Sequence, residues 1–217
     1  ERTNGRHMVQ QRLLDIAVDA FGRHGLEGAS TREIAAAAGT AMSSITYHYG
    51  GKEGLYLAAA DYIAQQMGET MSPAFAVEVA DGDQVAAREA IHRVLGALLD
   101  KMLDQQVRNW SLFIVREQMH PTAAFARLFD GPMGQMLRRL VRFVCTAAGI
   151  DDSEAARIAT MTLFGQVLVV RSARASVLRV LDVEAIDPAL AERIRARIRI
   201  NTNVILDALT AEAKESR

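Results

Sequence analysis

The residues best suited to contact another molecule lie between Thr31 and Tyr56, where the chain reads TREIAAAAGTAMSSITYHYGGKEGLY. Small residues up to Gly39 are followed by a cluster of hydroxyl, aromatic and cationic side chains, namely Ser43, Ser44, Thr46, Tyr47, His48 and Lys52. Hydroxyl, imidazole and ammonium groups donate hydrogen bonds, and short polar side chains allow a backbone to approach a charged surface closely. The cluster is therefore a candidate for contacts with bases and phosphates.

Three short helices are predicted to position this cluster. The first has one apolar face, because its hydrophobic residues recur at i, i+3, i+4, i+7 and i+8, and Gly25 follows as a stop: Leu13, Ile16, Ala17, Ala20, Phe21. Ser30 or Thr31 can cap the second helix, which buries Ile34, Ala35 and Ala38 and ends at Gly39. The third is very short, with Ile45 and Tyr49 on one face, and Gly50-Gly51 separates it from a helix that begins at Lys52.

Two interpretations of this arrangement remain open from the pattern alone. A helix that follows a tight turn can enter the major groove of DNA, where an α-helix fits and base edges are distinguishable. Lys52 would then stand at a helix start, where backbone amides and an ammonium group can hold a phosphate together. The alternative is a capped turn between core helices that contacts nothing outside the chain.

The spacing resembles the N-terminal DNA-binding domain of TetR-family transcriptional regulators, which read roughly T-x-x-I-A-x-x-A-G-V-S-x-G-T-L-Y-x-Y-F-x-S-K-E-x-L. The resemblance covers residues 9–57, including LLDIAVDAFGRHGLEGAS at 13–30. The matching residues are Thr31, Ile34, Ala35, Ala38, Gly39, Ile45, Tyr49, Gly50, Gly51, Lys52, Glu53 and Leu55. The chain departs from the common pattern at Ala41, Ser43, Thr46 and Tyr49. A weaker resemblance, VREQMHPTAAF at 115–125, indicates a subgroup with an Arg-Glu-Gln element followed by Pro-Thr-Ala.

The resemblance implies a role for each matching position. It assigns phosphate contacts to Thr31, Ser44, Thr46, His48 and Lys52. It assigns base contacts to Arg32, Ser43 and Tyr47, with Met42 against a thymine methyl group. Arg32 could instead be a solvated helix-end residue and His48 an ordinary surface or packed histidine. Arg2, Arg6 and His7 could form an arm on the DNA or an ordinary disordered terminus. So few cations predict about two to four neutralised phosphates per subunit.

The rest of the chain also has a helical period. Helices are predicted at roughly 84–104, from Trp110 to Met119, and at 133–148, 153–179 and 188–211, with breaks at Pro73, Asp81-Gly82-Asp83, Pro121 and Gly131-Pro132. Between residues 193 and 200, arginines alternate with apolar residues, which is typical of a strand, but the uninterrupted length of the segment favours a helix. The predicted fold class is all-α: a three-helix helix-turn-helix domain over 1–52 and a larger helical effector-binding and dimerisation domain over 53–217.

The resemblance implies that this larger domain binds a small-molecule effector and forms a homodimer through the last two helices. The residues proposed for the dimer helices are Met161, Phe164, Val167, Leu168, Ile194, Ile198 and Ile205, which could equally fill the core. Candidate effector contacts are Met102, Trp110, Phe113, Met119, His120 and Phe164, each of which could also be a core residue. Arg116 and Arg171 interrupt apolar runs, so each needs an acidic partner, such as Glu117, or an anionic part of the effector.

Composition limits the remaining possibilities. A net charge of −1 predicts that any DNA is bound by a small patch, and a single Cys145 favours a reducing cytoplasm. Neither a signal peptide nor a membrane span is expected. The five histidines and Cys145 have no zinc-ligand spacing, and no nucleophile motif or phosphate loop is present, so no enzyme, metal or cofactor is predicted. A ligand-responsive repressor of a palindromic operator is the expected function, and a helical protein-interaction module is the rival.

Overall fold

The computed structural model describes the backbone of residues 2–104 and 108–215, and side chains within 8–104 and 110–215. Every regular element in these ranges is helical, which confirms the predicted all-α class. The elements are α1 (Arg2–Gly28), α2 (Thr31–Ala38), α3 (Met42–Tyr49), α4 (Lys52–Phe75), α5 (Gln84–Leu103), α6 (Arg108–Met119), α7 (Ala123–Leu128), α8 (Gly134–Ala148), α9 (Glu154–Ser172), α10 (Arg174–Val180) and α11 (Pro188–Glu215), with a π-helical turn at Phe129–Met133. Arg2, Arg6 and His7 have side chains outside the described part, so the predicted arm stays a prediction.

The chain divides into two compact units. The first contains Glu1–Glu69 and Gln105–Gln135, and the second contains Thr70–Asp104 and Met136–Arg217. Residues up to Glu69 of α4 belong to the first unit, and residues from Thr70 belong to the second. The helix-turn-helix therefore shares its unit with α6 and α7, which lie far away in sequence.

The first unit is built on the apolar faces that the sequence predicts. Phe21, Ile34, Ile45 and Leu55 supply large, fully buried side chains from α1 to α4 in turn. Burying a large apolar side chain contributes about 1.5–3 kcal/mol, so these four contacts hold three very short or bent helices in place. Ser30, rather than Thr31, is the N-cap of α2, because its hydroxyl accepts from the amide of Glu33 at 3.3 Å.

The second unit has a core of aliphatic side chains from α5, α8, α9 and α11. Its members include Ile91, Leu95, Val144, Leu163 and Leu206. Asp83 caps α5 by accepting from the amide of Ala86 at 2.9 Å, and this places the core face of the helix. Polar pairs flank the core on α5 and α11: Arg88 with Asp207, Glu89 with Arg199, His92 with Asn203 and Asp100 with Arg195.

Two local predictions are wrong. The predicted helix over 153–179 is two helices, α9 and α10, because Ala173 has φ −116° and ψ 31°. Pro73 does not end α4, which continues to Phe75. The predicted break at Pro121 is confirmed, and Thr122 is the N-cap of α7, because its hydroxyl accepts from the amide of Ala124. The predicted break at Gly131-Pro132 lies within the π-helical turn, where Gly131 has non-helical φ −88° and ψ −141°. The segment 193–200 is helical, as its length predicts.

Candidate nucleic-acid interface

The third helix, α3, presents nearly all of its side chains to solvent. Ile45 is its buried residue, at 1% exposure, and attaches the helix to the unit. Tyr47 and Met42 are 85% and 53% exposed, and Ser43, Thr46 and His48 are also exposed. The Tyr47 and His48 rings meet edge to face at 5.0 Å between centroids. Ser44 and Tyr49 are half-buried, so one face of α3 packs on the unit and the opposite face is free to enter a groove.

The second helix adds polar groups from its first turn. Thr31 is half-buried at the start of α2, and Arg32 beside it is exposed. Ile34, Ala35 and Ala38 are buried, as predicted, so the opposite side of α2 faces outward. The first turn of a helix carries unsatisfied amide groups and a partial positive charge, which favours a phosphate there.

Glycines fix the two turns that bracket α3. Gly39 adopts a left-handed conformation with φ 70°, and its amide donates to the carbonyl oxygens of Ala35 and Ala36. Gly50 has φ 75° and ends α3 in the same way. Gly54 permits a close approach, because a Cβ atom there would overlap the carbonyl oxygen of Tyr49. These backbone requirements explain the spacing of glycines in the sequence.

Lys52 has a structural contact that the sequence did not indicate. Its Nζ donates to the carbonyl oxygen of Glu27 at 2.8 Å, and so joins the start of α4 to the end of α1. An ammonium group has three donors, so this bond leaves others for a phosphate. The predicted phosphate contact of Lys52 stays a prediction.

The predicted effector residues are divided between the two units. Trp110, Phe113, Arg116, Met119 and His120 belong to the first, and Met102, Phe164 and Arg171 belong to the second. One surface groove, of about 400 Å³, lies between α1 and α2, and another, of about 370 Å³, lies on α9. None of the eight predicted effector residues lines either groove. Phe113 is fully buried against Tyr56, with ring centroids 4.7 Å apart, whereas Met119 and His120 are exposed at the end of α6.

Glu117 does not pair with Arg116, contrary to the acidic partner that the sequence suggested. Neighbouring residues on a helix point in different directions, and each of these two finds its own partners. Arg116 donates to the carbonyl oxygens of Gly22 and Arg23 on α1, at 3.4 and 3.1 Å. Arg171 likewise donates to carbonyl oxygens, those of Lys101 and Asp104. For Arg116, backbone carbonyls take the place of the expected carboxylate.

No pattern in the sequence indicated that Tyr56 and Glu117 would meet. Glu117 is 1% exposed, and Tyr56 Oη donates to its Oε1 at 2.5 Å. Burial, and then the bond to Glu117, raises the pKa of the Tyr56 phenol well above its ordinary value. The Tyr56 ring also meets Phe21 edge to face at 4.9 Å, so α1, α4 and α6 share one buried contact. Tyr56 and Glu117 lie 61 positions apart in the sequence, so only the three-dimensional structure shows that they pair.

Part of the predicted dimer surface is core instead. Val167 and Ile198 are buried within the second unit, because α9 and α11 turn these residues toward its core. The opposite side of α9 exposes Ile158, Met161 and Val169, and α11 exposes Ile200 and Val204. Both helices are therefore apolar on two sides, which is the pattern of helices packed against more than one neighbour.

No helix among the described residues is long and apolar enough to cross a bilayer. Within the same residues, no group of three or more His, Cys, Asp and Glu side chains is placed to hold a metal ion.

A helix held on a compact bundle with its polar face free defines a helix-turn-helix protein of the DNA-binding class. Comparison with known proteins agrees with this class. Residues 13–59 match the family model for bacterial regulatory proteins of the tetR family, and residues 87–209 match the C-terminal domain of the HTH-type transcriptional dual regulator CecR.

Individual relatives extend the likeness to the whole chain. The HTH-type transcriptional dual regulator CecR of Shigella flexneri is 32% identical over 210 residues, which cover 93% of each chain. The HTH-type transcriptional repressor AcnR of Corynebacterium efficiens is 41% identical over 73 residues, covering 34% of this chain and 39% of AcnR. Among solved structures, AibR in complex with isovaleryl coenzyme A and operator DNA has a TM-score of 0.62 at 18% identity, covering 88% of this chain and 96% of AibR. The chain belongs to the TetR family of transcriptional regulators, with a C-terminal region of the CecR type.

Proposed function

We propose that this regulator binds a palindromic DNA operator as a homodimer and releases it when a small-molecule effector binds. The observation that carries the proposal is the placement of α3, which is attached through Ile45 and exposes Met42, Ser43, Thr46, Tyr47 and His48. One such helix contacts only a few base pairs. A two-fold dimer places two copies about 34–36 Å apart, which matches one turn of DNA.

The proposed contacts divide by chemistry. Tyr47, Ser43 and Arg32 read base edges, and Met42 packs on a thymine methyl group. The donors proposed to bind phosphates are exposed at Thr46 and His48 and half-buried at Thr31, Ser44 and Lys52. Base contacts carry sequence discrimination, whereas phosphate contacts carry the salt dependence of affinity.

The proposed dimer surface is the exposed apolar side of α9 and α11. Ile158, Met161 and Val169 recur on one side of α9, and Ile200 and Val204 recur on one side of α11. Exposed apolar side chains that follow a helical period on adjacent elements are typical of a subunit interface. We expect Met161→Glu with Ile200→Glu to give a monomer by light scattering. Val85→Glu is the matched control, because Val85 is 75% exposed on α5, which is not part of the proposed surface.

The effector is proposed to act through α4, which carries residues of both units. A ligand that changes the position of α4 would change the separation of the two α3 helices on DNA. The AibR structure, which contains both an acyl coenzyme A and operator DNA, supports effector control of DNA binding in this fold. Coupling of ~1–3 kcal/mol would lower operator affinity about 5- to 150-fold.

The test is footprinting of the purified protein on the DNA upstream of its own gene, repeated over a salt series. We expect a protected palindrome and a log–log salt slope equivalent to about two to four phosphates per subunit. If that DNA is not protected, selection from a random-sequence library gives the preferred duplex. Failure to select any sequence would overturn the proposal and favour a protein-interaction module.

Two variants separate base contacts from general binding. Tyr47→Ala and Arg32→Ala should each lower operator affinity, about 1–3 kcal/mol per base contact, while affinity for unrelated DNA changes little. Val180→Ala is a matched control for Tyr47→Ala, because Val180 is 83% exposed on α10. Equal affinity of wild-type protein and Tyr47→Ala for the operator would remove Tyr47 from the proposed contacts.

A further inference from the structure

The Arg-Glu-Gln…Pro-Thr element at residues 116–122 has no role in the function proposed so far. It lies at the end of α6 and the start of α7, inside the first unit. Two of its charged side chains point in different directions and contact two different helices next to the helix-turn-helix. We infer that Arg116 and Glu117 are positioning residues for DNA recognition, which hold α1 and α4 at a fixed separation.

Arg116 is bonded to the C-terminal end of the first straight part of α1. Its Nε and Nη2 donate to the carbonyl oxygens of Gly22 and Arg23, just before the break at Gly25. A cation near the C-terminal end of a helical segment also interacts favourably with the helix dipole. Gly25 has φ 72°, and a Cβ atom there would lie 2.9 Å from Nη1 of Arg116, so the backbone leaves room for the guanidinium.

Glu117 is bonded to α4 and to the start of α7. Its Oε1 accepts from Tyr56 Oη at 2.5 Å, and its Oε2 accepts from the Thr122 amide at 3.0 Å. The Thr122 hydroxyl lies 3.1 and 3.0 Å from the two carboxylate oxygens and donates to one of them at a time. A buried carboxylate is costly unless hydrogen bonds compensate it, so the three donors and Glu117 require one another.

These contacts lie on the two helices that precede and follow α2 and α3 in the chain. Tyr56 lies in the first turns of α4, and Gly50-Gly51 connects α3 to this helix. Arg116 holds the part of α1 whose Phe21 packs edge to face on the Tyr56 ring at 4.9 Å. Helices α2 and α3 lie between α1 and α4 in the chain. Because α6 is bonded to both α1 and α4, a shift of α6 would be transmitted to both of these helices.

The test uses the full-length chain and the duplex that wild-type protein selects from a random library, and it rests on the proposed function. Tyr56→Phe removes the bond to Glu117 and keeps the aromatic packing, and Arg116→Ala removes the bonds to α1. We expect each to raise the Kd for that duplex about five-fold or more. We also expect a shallower salt slope, because a misplaced α3 makes fewer phosphate contacts.

The controls carry the same chemical changes on the surface of the same unit. Tyr62→Phe removes an exposed hydrogen bond of 2.7 Å from α4 to Asp15 of α1, a direct link between these two helices that does not involve α6, so it tests whether the contacts of α6 are the ones that matter. Arg127→Ala removes a guanidinium that pairs with Asp61 at 2.6 Å, also exposed. Exposed pairs contribute little, so each control should change the Kd less than about two-fold.

Further measurements separate positioning from loss of folded protein. Stoichiometric titration gives the fraction of active protein, so the Kd refers to folded molecules, and the salt slope does not change if a variant only unfolds more. Glu117→Gln keeps the size of the side chain and should raise the Kd as well. Because glutamine keeps one oxygen that can accept from Tyr56, Glu117→Met is the variant to combine with Tyr56→Phe, and the double variant should raise the Kd little beyond Glu117→Met, since both remove the same link. Arg116→Lys retains a donor for the carbonyls and should recover part of the loss.

The outcomes separate the two proposals. A wild-type protein that selects no duplex overturns the proposed function and this inference with it. This inference alone is overturned if wild-type protein binds its duplex and both Tyr56→Phe and Arg116→Ala bind it like wild type. That result would be a Kd within two-fold of the wild-type Kd and the same salt slope.

Discussion

Gly54, in the first turn of α4, is a residue at which helix propensity and tertiary packing predict opposite results. Glycine inside a helix is less favourable than alanine by about 1 kcal/mol, so propensity predicts that Gly54→Ala stabilises the protein. A Cβ atom at this position, however, would overlap the carbonyl oxygen of Tyr49, the last residue of α3. A backbone carbonyl has no rotamer to change, so α3 must move relative to α4.

The magnitude follows from these two opposing effects. Steric overpacking costs about 1–3 kcal/mol, and the helix-propensity gain offsets up to about 1 kcal/mol of it. A net loss of roughly 1–2 kcal/mol corresponds to a fall in Tm of about 2–8 °C for a chain of this size. Because the displaced element is α3 itself, operator affinity should fall in the folded protein as well. Circular dichroism at 222 nm measures the Tm, and fluorescence anisotropy with labelled operator measures the affinity.

The matched control is Gly28→Ala. Gly28 is an exposed helical glycine of the same unit, and a Cβ atom there would meet His24 Cβ at 3.4 Å, an ordinary contact. We expect its Tm to stay equal or to rise slightly. A Gly54→Ala protein with an unchanged or higher Tm and full operator affinity would refute the packing argument and leave helix propensity as the larger effect.

Three other outcomes follow from the second unit. Burial, and then the charge of Arg199, lowers the pKa of His92 below its ordinary value of 6.5. As the pH falls, His92 therefore takes up a proton in the unfolded chain before it does so in the folded protein. The free energy of unfolding should decrease as the pH drops below about 6.5. Chemical denaturation at several pH values should show a flatter profile for His92→Gln. Ile198→Ala should cost about 2–5 kcal/mol by urea unfolding, because Ile198 is 7% exposed in the core. Ile200→Ala, at 51% exposure, should change unfolding of the monomer by less than about 0.5 kcal/mol while weakening the proposed dimer.

Local patterns were sufficient to predict most of the helices. The apolar spacing in α1 and α2, and glycine at positions that adopt positive φ, act within a few residues of chain, so the sequence alone predicts them. The same local character explains the family resemblance over 9–57. The break at Ala173 was not predicted, because alanine favours helix and no local stop signal precedes α10.

The sequence by itself determined the class of protein and the polar surface of α3, since Ile45 is the apolar residue that turns the rest of that helix outward. Only the tertiary structure decided the partners of buried charges. Arg116 was expected to meet a carboxylate, but it reaches carbonyls of α1 that lie more than ninety residues earlier. Glu117 reaches Tyr56, sixty-one residues away. Such pairings depend on which helices pack together, and composition and periodicity describe each helix only by itself.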